Sequence, residues 1–577
     1  MVAHLLWLLR SELRERREPG GTHEEVGLTW YEWSRWHPER YTIPLGIAFA
    51  FVATHNHFVL DRGGKVFNRS APVIKLPEGA SEERHLELLG VLNSSVACFW
   101  LKQVSHDKGS QSGTGGFMHD EWERFFEFTG TKLQEFPLPV TLPLTLGREL
   151  DRLARKLADY EPSALSATPT RGALDEARAA QEKIRSRMFA LQEELDWTVY
   201  GAYGLLTPSE VTRTVLSGDP SELSASDVPQ LALGQRSFEI ALARRVRDEE
   251  AETVWFGRHE STPVCDIPEE WPESYKKVVQ TRLDLIESNK DIRLIERPEY
   301  KRRWSIEPWE KREAAALRAW LLDAAEREDL WFEERNEFTA PRPLTVNQLA
   351  DALRHDEDVQ AVATLYAEDH LGKRDASLAT VLAAIIEPEH VPYLSVLRYK
   401  ETGLRKREQW EHVWEQQREE DRTGKRLDIK VPPKYTGADF VKQSYWSNRG
   451  KLDVPKERFI SYPGASTDND SSLLLGWAGW NHREQAEVLA NLVHDRAERD
   501  GWPKDDARFV PLLAGLQEAM PWVHQWYDEF DDEWDGNPAE EFQSALNLGR
   551  TERHLSESDL RAWRPEKKRG GRKKAAE

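Results

Sequence analysis

Between residues 41 and 77 the apolar side chains change their spacing, and that change sets most of what this chain can fold into. The run IAFAFVA at 47–53 is continuous and apolar and reads as β structure. HFVL at 57–60 and KVFN at 65–68 flank Asp61-Arg62-Gly63-Gly64, which predicts a hairpin. APVIKLP at 71–77 reads as a further strand closed by proline. From about residue 81 to 103 the period becomes helical. Glu82 and Glu83 suit a positive helix N-terminus, and Leu86, Leu89, Val96 and Trp100 follow at roughly helical spacing. A Gly/Ser-rich loop is predicted over 105–116, and LQEFPLP at 133–139 ends the unit with alternating prolines.

Two amphipathic helices are predicted next. Leu146, Leu150, Leu153 and Leu157 mark the first, and Ile184, Met188, Leu191, Leu195 and Val199 the second. The short turn-rich linker between them predicts an antiparallel pair. Beyond about residue 216, helices alternate with proline-broken loops without an internal repeat. Tryptophan is abundant, 23 in all, which suits cores, interfaces and base-stacking platforms alike.

At 577 residues the chain is long enough for about four domains. Its two cysteines, Cys98 and Cys265, sit in no paired motif, so neither a disulfide framework nor a structural zinc site is indicated, and a reducing cytoplasm fits. The apolar start at 1–9 lacks a basic n-region and a cleavage site and reads as the end of a helix or strand. No apolar run approaches membrane-spanning length, so no membrane is expected among the partners.

The formal net charge of −21 argues, as an average, against nucleic acid. The distribution is uneven. Residues 527–541 carry eight acids and no Lys or Arg, whereas 422–458 hold ten Lys/Arg against four acids. The tail at 567–574 reads KKRGGRKK.

The motifs for amino-methyl transfer are missing. The one Pro-Pro pair, Val431-Pro432-Pro433-Lys434, lacks both the amide or acid before it and the aromatic after it. The glycines at 109–116 follow a helix, not the strand that a cofactor turn needs. No catalytic residue, metal ligand or cofactor site is therefore expected in this chain. His55-Asn56-His57 spells a nuclease-like string without a third ligand, and a structural or hydrogen-bonding role is the simpler reading. Asp284 or Asp291 with Glu299-Tyr300-Lys301 imitates a metal-dependent nuclease pattern, though acid-x-lysine arises readily by chance in so charged a chain.

Several stretches carry a family resemblance. GLTWYEWSRW at 27–36, AFVATHNHFVLDRGGKVFNRSAPVIKLP at 50–77 and LLGVLNSSVACFWLKQVSHDKG at 88–109 resemble the target-recognition region of the PglX family. These are adenine-specific DNA methyltransferases of phage-growth-limitation and BREX type 2 defence systems. LDWTVYGAYGL at 195–205, IPEEWPESYKKVV at 267–279, LIERPEYKRRW at 294–304 and SLLLGWAGWNHREQA at 472–486 extend it over nearly the whole chain. Leu92-Asn93-Ser94 and Phe136-Pro137-Leu138-Pro139 are also similar to specificity domains of type I and type IIG restriction-modification enzymes. Family members carry a methyltransferase domain upstream of these motifs. The sequence thus reads as a fragment, a split gene product or a degenerate copy.

The resemblance implies an α+β fold: a mixed target-recognition domain at 1–140, a helical spacer at 141–215, and a largely helical C-terminal region. The last comprises 216–390, a basic Trp-rich stretch at 391–562 and a basic tail at 563–577 expected to be disordered. It implies double-stranded DNA as partner, together with the missing methyltransferase half or other defence-system subunits. S-adenosylmethionine is implied for the complete enzyme only. Residues suited to DNA are Lys65, Asn68, Arg69 and Lys75 near the hairpin, and Lys102, His106, Lys108, Gln111 and Ser112 on and beside the glycine loop. Lys425, Arg426, Lys430 and Lys434, interleaved with Tyr435, Tyr445 and Trp446, form a candidate phosphate track. Two other readings stand beside this one: a protein-interaction scaffold of the defence complex without DNA contact, and a nuclease centred on Glu299 and Lys301.

Overall fold

The computed structural model describes residues 2–38, 44–109, 120–165, 167–216, 218–223, 227–335, 338–532 and 534–566. The architecture is α+β, with small sheets and a largely helical C-terminal region. The chain divides into two compact units, His37–Glu313 and Met1–Trp36 with Ala314–Glu577.

In the unit 37–313, strands β1 (Gly46–Phe49), β2 (Val52–Ala53), β3 (Phe58–Asp61) and β4 (Val73–Ile74) come first. β1 lies between β3 and β4, antiparallel to both, with Ile47 opposite Leu60 and Ile74. As the central strand it is buried throughout, while β3 alternates buried Phe58 and Leu60 with exposed Val59. The predicted hairpin between 57–60 and 65–68 does not form, and 65–68 is not a strand. Gly63 and Gly64, at φ +89° and +77°, turn the chain away. At Phe58 the Asn93 side chain takes the backbone groups that a further strand would use. Its Oδ1 accepts from the Phe58 N–H at 3.1 Å and its Nδ2 donates to the Phe58 carbonyl at 3.0 Å.

The single helix predicted over 81–103 is two, α1 (Glu82–Leu92) and α2 (Ser95–Val104). Ser94 ends one and begins the other: its hydroxyl donates to the Val91 carbonyl and accepts from the Ala97 N–H. The predicted loop is a strand at its start, β5 (His106–Gly109), paired with β6 (Phe125–Glu127), which also pairs with β2. The rest of that loop, from 110, lies outside the described residues, as does the basic tail from 567.

The two predicted amphipathic helices are α3 (Leu144–Asp159) and α4 (Arg171–Ala202). α3 packs against both α1 and α4. Its approach to α1 is close because glycines meet: a Cβ on Gly147 would strike the Leu86 carbonyl oxygen and stand 3.4 Å from the Gly90 Cα. Helices that include α5 (Ser237–Arg247), α6 (Glu273–Ser288) and α7 (Lys290–Ile295) follow in the unit. One apolar core runs from Ile47 and Phe58 through Leu89, Leu146, Leu191 and Leu195 to Leu283 and Trp304.

The other unit holds a four-stranded sheet of β7 (Leu344–Thr345), β8 (His390–Pro392), β9 (Phe459–Ser461) and β10 (Leu474–Trp477), in the order β7-β10-β9-β8. β8 and β9 run parallel. Around it pack helices that include α8 (Glu401–Thr423), α9 (His482–Glu498) and α10 (Phe509–Trp526). The first 36 residues belong here rather than with the strands that follow them. The Trp7 indole donates to Asp421 at 2.8 Å, and Arg10 bonds the Gln417 carbonyl at 2.8 Å and Glu420 at 3.2 Å, all three on α8. Trp7, Trp410, Trp414, Trp522, Tyr399, Tyr435, Phe440 and Tyr445 form one buried cluster, so aromatic richness here builds a core.

Candidate nucleic-acid interface

The quoted motifs of the unit 37–313 meet in one buried polar network. Ser95, at the start of α2, donates its N–H and its hydroxyl to Asp196 of α4, both at 2.7 Å. Lys301 reaches the same carboxylate at 2.9 Å, Glu296 at 2.8 Å and Glu193 at 3.7 Å. The Tyr200 hydroxyl donates to Glu296 at 2.5 Å. All of these charged side chains are at most 1% exposed. Burial opposes the Lys301 charge, but Asp196, Glu296 and Glu193 reverse that and hold its pKa above the ordinary lysine value. Burial raises Glu296, against the pull of Lys301. Beside this cluster Arg236 pairs with Glu239 at 2.8 Å and Arg282 with Glu194 at 2.5 Å, both buried. The Leu-Asn-Ser, LDWTVY and EYKRRW stretches are therefore the joints of this unit.

The same Lys301-Arg302-Arg303 run leads outward to a second cluster. Arg302 donates to Asn93 Oδ1 at 3.0 Å and lies over the Trp304 ring. Arg303 donates to Thr54 Oγ1 at 2.5 Å and to the Trp122 carbonyl, and lies over the Trp122 ring. Lys102 donates to the Glu299 carbonyl at 2.6 Å, with the Phe126 ring 5.1 Å away. Every one of these acceptors is neutral, and among the described residues none of the three cations forms an ion pair. Burial brings Arg302 and Arg303 down to about 10, so both stay charged at neutral pH. Burial and then the charges of Arg303, Arg302, His57 and Lys102 push His55 well below its ordinary value. Packing of the His57 ring against its neighbours, and then the charge of Arg302, push His57 down to about 4, although the residue keeps an edge exposed to solvent. Both imidazoles are thus neutral at pH 7.

The other candidate residues fall around this cluster or far from it. Lys108, on β5, pairs with Glu127 of β6 at 2.5 Å, and His106 beside it is exposed. Gln111 and Ser112 lie outside the described residues. Lys65, Asn68, Arg69 and Lys75 are exposed; Asn68 accepts from the Ser70 N–H, and Arg69 covers the Phe51 ring at 5.3 Å. Lys102, placed on the sequence beside an open loop, is instead buried, because α2 carries it under β6 and Tyr300.

In the other unit the basic stretch is largely neutralised by acids distant in sequence. Arg426 pairs with Glu24, Lys434 with Glu12 at 2.6 Å, Lys442 with Glu387 at 2.7 Å, and Arg458 with Asp323 at 2.6 Å. Lys425 and Lys430 are exposed. The expected stacking rings are not on the surface: Tyr435 and Tyr445 are buried and Trp446 is half-buried. In the acidic segment, Asp531 pairs with Arg483 at 3.1 Å and Asp528 accepts from Asn537 at 3.1 Å.

The nuclease arrangement is not assembled. Lys301 is enclosed by Asp196, Glu296 and Glu193, Glu299 pairs with Arg297 at 2.6 Å, and Asp284 accepts from Gln280 at 2.7 Å. Among the described residues no group of His, Cys, Asp or Glu is arranged to hold a metal ion. Ser461, His390 and Glu387 do hydrogen-bond in series, at 2.8 and 3.3 Å. Ser461 is fully buried on β9, however, so no substrate reaches it. The residues around Pro432 and Pro433 do not fit a methyltransferase site: Pro432 is buried and Lys434 is turned to Glu12. Among the described residues no helix is long and apolar enough to cross a membrane.

Sequence reasoning passed over Arg302 and Arg303 as binding residues and gave His55 and His57 a structural or hydrogen-bonding role without a ligand. The signal available for them was the run Lys301-Arg302-Arg303 beside Trp304.

The chain belongs to the family described as a domain of unknown function, DUF7008, which matches residues 188–574 and so takes in Arg302 and Arg303 but not Lys102, His55 or His57. It is 49% identical over 578 residues to the adenine-specific methyltransferase PglX of Streptomyces coelicolor, covering 98% of this chain and 46% of that protein. The chain thus spans about half the length of the curated relative it matches. No solved structure matches it.

Proposed function

We propose that this chain supplies the DNA target-recognition and C-terminal part of an adenine-specific DNA methyltransferase that marks host DNA in phage defence. The observation that carries this reading is the 49% identity, across 98% of the chain, to a protein named an adenine-specific methyltransferase. The unit 37–313 is assigned the reading of DNA. It has exposed basic side chains at Lys65, Arg69 and Lys75, and three cations, Lys102, Arg302 and Arg303, with no carboxylate within ion-pair distance among the described residues. Methyl transfer and S-adenosylmethionine binding are assigned to a domain beyond these 577 residues, since the motifs for both are missing here.

A chimaera tests the reading. Residues 37–313 of the relative replace those of this chain in an enzyme that carries the methyltransferase half, and methylated sites are mapped by sequencing. The methylated motif is expected to follow the 37–313 segment. A motif that stays with the rest of the protein refutes the assignment. A chain that binds no duplex DNA favours the scaffold reading.

A further inference from the structure

We propose that the half-buried Arg302 and Arg303, with His55 and His57 at their rim and the buried Lys102 adding its charge beside them, form a phosphate-binding site that grips one backbone phosphodiester of duplex DNA whatever the base sequence. The inference rests on the DNA-recognition reading and deepens it by saying what these cations bind.

The chain carries 100 acids against 79 Lys and Arg, so carboxylates are plentiful, and most of its buried cations have one. These three do not. Their acceptors are the carbonyls of Glu299 and Trp122, an amide oxygen and a hydroxyl, none of which offsets charge. The Nε atoms of Arg302 and Arg303 are buried with no acceptor at all. Three like charges gathered in low-dielectric surroundings repel one another, and such a cluster persists where something outside it supplies the counter-charge.

The location selects the ligand. The cations lie beside the sheet β2-β6-β5 and the turn at Thr54, His55 and His57, and His57 is exposed to solvent. The neutral imidazoles add hydrogen-bonding capacity at the rim without closing the site. Two guanidinium forks and an ammonium suit the several oxygens of a phosphate better than a single carboxylate. In duplex DNA such a contact also releases condensed counterions, which supplies affinity without reading bases. The site would fix the unit's register on the duplex, leaving exposed side chains on the neighbouring strands to read base edges.

The test is fluorescence anisotropy of the full 577-residue chain on labelled duplexes of two unrelated sequences, titrated with salt. Arg303→Gln is expected to weaken binding equally on both sequences and to lower the log–log salt slope by about one. Because Arg303 also bonds Thr54 and Trp122, a second variant, His57→Glu, places a negative charge at the exposed rim without touching the buried contacts. It is expected to weaken binding about tenfold or more. If wild type binds and both variants melt like wild type yet keep its affinity and slope, the phosphate site is wrong while DNA recognition stands. If Arg303→Gln fails to fold, the His57→Glu result decides alone. If wild type binds neither duplex, DNA recognition itself is refuted. Inorganic phosphate, matched in ionic strength by chloride, is expected to leave DNA binding unchanged. Competition under matched conditions would assign the site to free phosphate and overturn the proposal.

Discussion

Lys301→Met removes the cation that pairs with Glu193, Asp196 and Glu296, and so probes what holds the unit 37–313 together. The methionine keeps most of the side-chain volume, so packing changes little. What changes is that three carboxylates, each at most 1% exposed, lose their shared counter-charge. Removing one partner of a buried ion pair costs about 3–5 kcal/mol, because the remaining charge is left desolvated. For a unit of this size each kcal/mol moves Tm by about 2–4 °C, so its melting should fall by about 6–20 °C. The deficit should depend on pH. Burial already raises the Glu296 pKa above 4.5, and losing Lys301 raises it further. A carboxyl raised in the folded state binds its proton more tightly there than in the unfolded chain. The penalty is therefore full above the raised value and shrinks as pH falls toward 4.5. Adding Glu296→Gln should recover part of the loss at neutral pH by removing one of the orphaned charges. Differential scanning calorimetry reads the shift, and hydrogen exchange along α4 (Arg171–Ala202) locates it in this unit. Unchanged melting and unchanged protection of α4 would refute the reasoning.

Two smaller changes test other joints. Gly147→Ala drives a methyl into the Leu86 carbonyl at the α1–α3 crossing and should cost about 1–3 kcal/mol, read as a lower urea midpoint. Gln111→Ala with Ser112→Ala should reduce preference for the cognate DNA site by about 1–3 kcal/mol per lost base contact, with non-specific affinity nearly unchanged. An unaltered methylated motif would remove those two residues from base reading.

Much of the unit 37–313 was legible residue by residue. The apolar run at 47–53 announced β structure, which the fold divides between β1 and β2 of two sheets, and the leucine spacings announced α3 and α4. These signals are local, since strand and helix periods are written within a few residues. The break at Asn93-Ser94 was harder, because the apolar spacing runs on from α1 into α2. Only the Ser94 cap and the use of Asn93 as a strand partner show why the helix stops. Lys102 sat beside a glycine-rich segment in sequence, yet the turn of α2 places it under β6.

The sequence by itself determined the alternation of strand and helix, the amphipathic faces and the missing methyl-transfer motifs. All of these are properties of neighbouring residues. The tertiary structure decided which charges are free. It neutralised Arg426, Lys434 and Lys442 with Glu24, Glu12 and Glu387, so the local excess of positive charge at 422–458 is no guide to the potential there. It joined the first 36 residues to 314–577 through Trp7 and Arg10. It left Lys102, Arg302 and Arg303 among neutral acceptors, although the chain as a whole is strongly acidic. The physical reason is that electrostatic energy depends on distance and burial in space. Partners 55 to 422 residues apart leave no mark in a local reading of composition.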